Sequence, residues 1–113
     1  MPKPMTEKSE TARLNRIYKN LPPNKKALAQ GLIVQAARLR IRLNQLNEDI
    51  EENGLTEEFR QSEKQDPYIR TRPEADLFVK LDKNYQAIIR QLNDLVPEDV
   101  SGPSKLASLM NDE

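Results

Sequence analysis

Apolar residues recur at helical spacing through the middle of the chain. Ala36, Leu39, Leu43, Leu46 and Ile50 follow one another in alternating steps of three and four residues. That heptad pattern predicts a long amphipathic helix over residues 24–53. Pro22 and Pro23 precede it, and the pair Asn53-Gly54 is typical of a helix end.

A second apolar line lies on an adjacent face of this helix. Ile33, Ala37 and Ile41 are spaced by four residues each. One apolar line is enough to pack against a helix of the same chain, so a second line indicates a neighbouring subunit. The predicted oligomer interface comprises Leu32, Ile33, Ala36, Ala37, Leu39, Ile41 and Leu43.

The same periodicity returns near the end of the chain and predicts a helix over residues 72–96, with Pro97 beyond it. Thr71 and Glu74 have the spacing of a capping box at its start. The apolar positions are Phe78, Leu81, Tyr85, Ile88, Leu92 and Leu95. The two long helices would form an antiparallel hairpin about 40 Å long.

Shorter elements flank and join this hairpin. Residues 1–8 are polar and are predicted to be disordered, and a short helix is predicted over residues 9–20. Thr56 is placed to cap a helix over residues 57–64, and residues 66–72 read as an extended connector. The predicted fold class is therefore all-α: a long antiparallel helical hairpin within residues 9–97, with a short N-terminal helix, oligomerising through heptad-like seams.

Residues 98–113 are predicted to form a flexible tail. Ser101-Gly102-Pro103 would act as a hinge, and Leu106, Leu109 and Met110 have the spacing of a short docking helix. The alternative is a frayed terminus, because isolated helices of this length are marginal in water.

Composition argues against catalysis and against a bound cofactor or metal. The 113 residues include no cysteine, histidine or tryptophan, which removes the commonest general base, the commonest covalent nucleophile and most zinc ligands. A carboxylate-dependent enzyme stays the weakest reading, since the acids at positions 48–52 lack EF-hand spacing and suit a solvated face. No signal-peptide core or apolar run of about 18 residues is present, which predicts a cytoplasmic protein with no membrane partner.

Charge is divided along the chain although its sum is zero. Residues 1–47 hold ten Lys and Arg against two acids, or +8, and residues 48–113 hold eight against sixteen, or −8. Such asymmetry predicts one surface for a polyanion and another for a different partner.

The central helix carries its charges against its own dipole. Lys25 and Lys26 lie at its start, so its free N–H groups would form a phosphate site with these lysines and Lys19. Alternatively, the charges cancel within the hairpin. In that case Asp94, Glu98 and Asp99 lie near the two lysines, and Arg70 and Arg72 lie near the acids of the helix end.

Three basic residues on the first helix suit a nucleic-acid backbone, because they recur every three residues on one face. They are Arg13, Arg16 and Lys19. Arg38 and Arg42 share a face, whereas Arg40 points elsewhere. For at least one of these three arginines the alternative is a solvated surface position or a salt bridge between subunits. Tyr68 could stack on a base, but packing against a helix end is the more ordinary role. The predicted DNA-binding residues are Arg13, Arg16, Lys19, Lys25, Lys26, Arg38 and Arg42.

Five segments of the chain carry a family resemblance. They are LPPNKKALAQGLI (21–33), AARLRIRLNQL (36–46), ENGLTEEF (52–59), DPYIRTRPEADLF (66–78) and LDKNYQAIIRQL (81–92). Together, over about residues 12–97, they resemble the small terminase subunits of phages and prophages of Gram-positive hosts.

The resemblance implies a non-catalytic DNA-packaging protein of the host cytoplasm. Small terminases recognise double-stranded viral DNA, regulate the large ATPase and nuclease subunit, and assemble into rings, here expected to hold roughly eight to ten subunits. Many carry a complete N-terminal helix-turn-helix domain, for which residues 1–22 are too short. A helical adaptor that binds only protein is the alternative.

Overall fold

The computed structural model describes residues 4–97. It contains three helices and a two-stranded antiparallel sheet. The chain is mostly helical, but the sheet means that it is not strictly all-α. In chain order the elements are α1 (Glu7–Ile17), α2 (Pro23–Asn53), β1 (Thr56–Phe59), β2 (Tyr68–Thr71) and α3 (Pro73–Asp94).

Helix α1 begins two residues earlier than predicted because Thr6 caps it. The Ser9 backbone N–H donates to Thr6 Oγ1 at 3.0 Å, and the Thr6 N–H donates to Ser9 Oγ at 2.9 Å. This reciprocal capping box satisfies two N–H groups at the start of the helix. Glu7 and Lys8 are therefore helical, which corrects the prediction that all of residues 1–8 are disordered; residues 1–3 lie outside the described range.

The long helices form the predicted antiparallel hairpin. Helix α2 ends at Asn53 and is capped by Gly54, whose φ of 83° favours glycine and whose N–H donates to Ile50 O at 2.7 Å. Helix α3 starts at Pro73, whose fixed φ suits a first helical position. The predicted capping box between Thr71 and Glu74 is wrong, because Arg72 is the N-cap residue and no side chain caps the helix.

The helix predicted over residues 57–64 is wrong: this segment begins with β1 of a β-hairpin. Glu57 pairs with Arg70 and Phe59 with Tyr68, so these four side chains share one face of the sheet. Arg70 Nε lies 2.6 Å from Glu57 Oε2 and its guanidinium covers the Phe59 ring at 3.5 Å. These cross-strand contacts stabilise the hairpin, whereas an isolated helix of eight residues has little to stabilise it.

The core lies where all three helices meet, in the half of the hairpin that contains the start of α2 and the end of α3. Helix α1 packs along this half, and Tyr18 reaches α3. The buried cluster consists of Leu14, Ile17, Tyr18, Leu21, Ala29, Ile33, Ala36, Ile88 and Leu92. The other half of the hairpin has no third helix, and Leu46, Phe78 and Leu81 there stay partly exposed.

Candidate nucleic-acid interface

Four basic residues flank the turn where α1 ends and α2 begins, and we call this surface the basic end. They are Arg16, Lys19, Lys25 and Lys26. Lys19 and Lys26 line the same hollow of about 270 Å³, together with the polar side chains of Asn15 and Gln30. Two ammonium groups beside two amides form a surface suited to an anionic oxygen.

Side chains, rather than backbone N–H groups, would have to hold an anion at the basic end. Pro23 has no N–H, and the N–H groups of Lys25 and Lys26 both donate to Pro22 O, at 3.0 and 2.8 Å. The predicted phosphate site at free N–H groups of α2 is therefore largely removed. The first turn of α2 also contains no acidic residue to compete for the lysines.

Arg13 belongs to the fold instead of the basic end. Its Nε and Nη2 donate to the two carboxylate oxygens of Glu10 at 2.7 and 2.9 Å. Glu10 is only 1% exposed, so this bidentate pair neutralises a buried carboxylate.

The guanidinium of Arg40 lies 5.7 Å from the centre of the nearby Tyr85 ring. Burial, and then the negative charge of Glu10, raise the pKa of Tyr85.

The remaining two predicted DNA-binding residues lie away from the basic end. Arg38 Nε makes a 3.0 Å ion pair with Glu7 Oε1 on α1, with both side chains about half exposed. Arg42 is about 24 Å from Lys26 along α2, at 1.5 Å per residue, in a hollow between α2 and α3. The structure thus brings Lys19 and Lys26 together, whereas Arg13 and Arg38 pair with carboxylates of α1 and Arg42 lies further along α2.

The acids form a second surface at the opposite end of the hairpin. Residues 48–76 hold ten acidic against four basic residues, or −6. The predicted internal neutralisation occurs here through Arg72, whose Nη2 lies 2.8 Å from Asp49 Oδ2. The corresponding pairing of Asp94 with Lys25 or Lys26 is not among the ion pairs of residues 4–97, and Glu98 and Asp99 lie outside that range.

Most of the predicted oligomer interface is already covered by the chain itself. Ile33, Ala36, Ala37 and Leu43 are at most 3% exposed. A neighbouring chain could not contact these four side chains without displacing the chain's own helices, so their assignment to the interface does not fit this conformation. The half-exposed members of the predicted set are Leu32, Leu39 and Ile41.

The remaining predictions concern Tyr68, the docking segment, metal binding and membrane spanning. Tyr68 packs edge-on against Phe59 with ring centres 5.9 Å apart, as expected for a structural tyrosine. The predicted docking residues Leu106, Leu109 and Met110 lie outside the described range. Within residues 4–97, no cluster of acidic side chains is arranged to hold a metal ion, and no helix is long and apolar enough to cross a bilayer.

Tyr18 connects the basic end to α3. Its hydroxyl donates to Asn93 Oδ1 at 2.7 Å, and its ring is 3% exposed at the edge of the hollow. Burial is the main cause that raises the pKa of Tyr18 to about 12. Because Tyr18 and Asn93 are 75 residues apart, this contact could be seen only in three dimensions.

The raised pKa gives an alkaline test of this connection. A raised folded pKa stabilises the fold fully below the unfolded value near 10, and that contribution disappears as pH rises through about 12. We expect the free energy of unfolding to fall over this window, with Tyr18 contributing about 2 kcal/mol of the fall.

The measurement is urea unfolding at several pH values for Tyr18→Phe and for the control Tyr68→Phe. Tyr18→Phe should flatten the alkaline fall, although losing the hydrogen bond to Asn93 also lowers stability at neutral pH by about 1 kcal/mol. Tyr68 is 43% exposed, so the free energy of unfolding of Tyr68→Phe should change with pH as it does in the original chain. Equal alkaline slopes in all three proteins would contradict the prediction.

Comparison with protein-family models, with curated proteins and with solved structures found no match to this chain.

Proposed function

We propose that the chain is a small terminase subunit: a non-catalytic DNA-packaging adaptor that binds double-stranded viral DNA and regulates a large ATPase and nuclease subunit in the cytoplasm of the host bacterium. The resemblance over residues 12–97 carries this proposal. The separation of the two charged surfaces by the length of the hairpin supports it, because one subunit would then offer different ends to DNA and to protein.

The basic end is the DNA-binding surface in this proposal. Arg16, Lys19 and Lys26 are exposed, and Lys25 is half-buried beside them. No ion pair within residues 4–97 engages these four side chains, so their charge is available to phosphates. Such contacts read the backbone of DNA and not its bases, which makes binding strongly dependent on salt.

The large subunit would bind at the acidic surface of residues 48–76 or at the tail that contains Leu106, Leu109 and Met110. A partner with basic side chains is the one that a net charge of −6 attracts. The proposed assembly is a ring of roughly eight to ten subunits, for which each chain must present two different contact surfaces.

The test of DNA binding replaces Arg16, Lys19, Lys25 and Lys26 together with glutamate. Arg13 is left unchanged, because its pairing with buried Glu10 would confuse loss of folding with loss of binding. We expect duplex DNA to bind at least about tenfold more weakly. The slope of log affinity against log salt should become shallower by about one for each phosphate contact removed.

The matched control is a variant with the same change in net charge, made at four lysines outside the basic end. Lys8, Lys64, Lys80 and Lys83 are all exposed, and their replacement with glutamate also shifts the net charge by −8. Fluorescence anisotropy with one labelled duplex, between about 50 and 200 mM salt, compares the three proteins. If both variants bind DNA equally, the basic end is not the binding surface.

The protein-only adaptor is the second candidate, and the internal pairing of Arg13 and Arg38 favours it. Both arginines have carboxylate partners on α1 and so contribute less to a polyanion surface. An unmodified chain that fails to bind duplex DNA even at the lowest salt would decide for this candidate, because phosphate contacts strengthen as salt falls.

A further inference from the structure

The half of the hairpin that α1 leaves uncovered carries an open hollow between α2 and α3, with a volume of about 480 Å³. We call it the hairpin hollow. It is lined by Arg42, Gln45, Leu46, Asp49, Glu74, Leu77 and Leu81.

The floor of the hairpin hollow is apolar. Leu46 and Leu81 are half-buried, and Leu77 is 45% exposed. Three leucine side chains from two facing helices are thus partly open to water at one place. Such an apolar patch is typical of the centre of a protein–protein contact. The surface is small, so an occupant would also need favourable contacts at the rim.

The two ends of the hairpin hollow carry opposite and incompletely matched charges. Arg42 at one end makes no ion pair within residues 4–97. At the other end Asp49 and Glu74 share one guanidinium, since Arg72 Nη2 lies 2.8 Å from Asp49 and 3.5 Å from Glu74. Glu74 Oε2 is buried and accepts no hydrogen bond from any described residue. One negative charge at this end therefore lacks an equivalent positive partner.

We propose that the hairpin hollow is the contact through which a second copy of this chain docks, related to the first by a two-fold axis. Arg42 and Asp49 lie equally far, three and a half positions each, from the midpoint between Gln45 and Leu46. An antiparallel contact centred there sets Arg42 of each copy opposite Asp49 and Glu74 of the partner subunit. The leucines then meet at the centre, which is the self-complementary pattern that an isologous dimer requires.

Charge complementarity selects a second copy over other occupants. A partner of single sign would satisfy one end of the hairpin hollow and be repelled by the other. The same sequence, turned by half a revolution, satisfies both ends at once. This contact goes beyond the proposed function. It is separate from the basic end, but it uses Asp49 and Glu74 of the acidic surface, so in a dimer the large subunit would have the rest of that surface or the tail. A ring built from such dimers would need a second, different contact to link them.

Mixing two charge-reversal variants tests the contact directly. In Arg42→Glu each end of the dimer would bring three carboxylates together, and in Glu74→Lys each end would set a lysine against Arg42 of the partner subunit. Each variant alone should therefore dimerise on the order of tenfold more weakly than the original chain. Mixed one to one, they should form a heterodimer more tightly than either variant self-associates, because one end regains the original charges and the other sets the introduced lysine opposite the introduced glutamate.

Analytical ultracentrifugation over a wide concentration range, on each variant and on their mixture, gives these affinities. A misfolded variant cannot recover by mixing with another chain, so rescue distinguishes contact from folding. Original chains that stay monomeric, or a mixture no tighter than the two separate variants, would overturn the proposal. DNA binding plays no part in the readout, so this failure is distinct from failure of the proposed function.

A pair of neighbouring apolar residues on α3 provides the second test. Leu77 lines the hairpin hollow, whereas Val79 is outside it, and they are 45% and 53% exposed. Leu77→Lys should abolish dimerisation at concentrations where Val79→Lys leaves it unchanged. Equal loss of dimer in both variants, or no loss in either, would place the contact elsewhere and overturn the proposal.

Discussion

Replacing Leu14 with alanine is expected to lower the free energy of unfolding by about 2–5 kcal/mol. Leu14 lies on α1 and is fully buried in the core cluster that α1 forms with α2 and α3. Truncation removes its transfer free energy and leaves a cavity that close-packed neighbours fill only partly. Helix α1 has eleven residues, too few to be stable in water alone, so loss of this anchor should loosen the whole helix.

Leu28→Ala is the matched control for this change. The same methylene groups are removed, but Leu28 is 66% exposed, so its variant should stay within about 0.5 kcal/mol of the original chain. Urea unfolding of both variants measures the difference, and hydrogen exchange should show weakened protection concentrated in α1. A stability loss below 1 kcal/mol for Leu14→Ala would mean that α1 is not docked as the structure describes.

The sequence predicted the long helices because each is encoded by many residues at once. Heptad spacing, the prolines at the helix starts and Gly54 all point to the same hairpin, and α2 and α3 differ from the predicted bounds by two residues or fewer. The β-hairpin was missed because its stabilising pairs are 9 to 15 residues apart in the sequence. Thr56-Glu57 at a loop end resembles a helix cap, and only the register with Tyr68 and Arg70 shows that the segment is extended.

The candidate sites were less predictable than the helices because charge alone does not show where a side chain is bound. Arg13, Arg16 and Lys19 have equivalent positions in the sequence pattern, yet Arg13 holds a buried carboxylate while the others face solvent. The spacing of Glu10 and Arg13 by three residues was a usable signal for that pair. Burial of the predicted interface residues could not be foreseen, since either α1 or a neighbouring chain would bury the same apolar line.

The buried pair of Glu10 and Arg13 yields the second large expected effect. Replacing Glu10 with glutamine keeps its shape but removes the carboxylate that forms the bidentate pair with the Arg13 guanidinium, itself only 26% exposed. Breaking a buried ion pair from one side is costly because the remaining charge stays partly desolvated. We expect a loss of about 3 kcal/mol, measured by urea unfolding at neutral pH.

Glu7→Gln is the control on the same helix. Glu7 also pairs with an arginine, but Glu7 and Arg38 are 50% and 58% exposed, and surface pairs of this kind contribute below about 1 kcal/mol. Similar losses in Glu7→Gln and Glu10→Gln would show that burial of Glu10 does not govern the effect.

Removing both charges of the buried pair then separates folding from DNA binding. Glu10→Met combined with Arg13→Leu removes both charges of this pair, so the double variant should be more stable than Glu10→Gln alone. The double variant has the same net charge as the original chain. If Arg13 serves the fold, the double variant should therefore bind duplex DNA with the original affinity. A selective loss of DNA affinity in a folded double variant would return Arg13 to the DNA-binding surface and extend the basic end along α1.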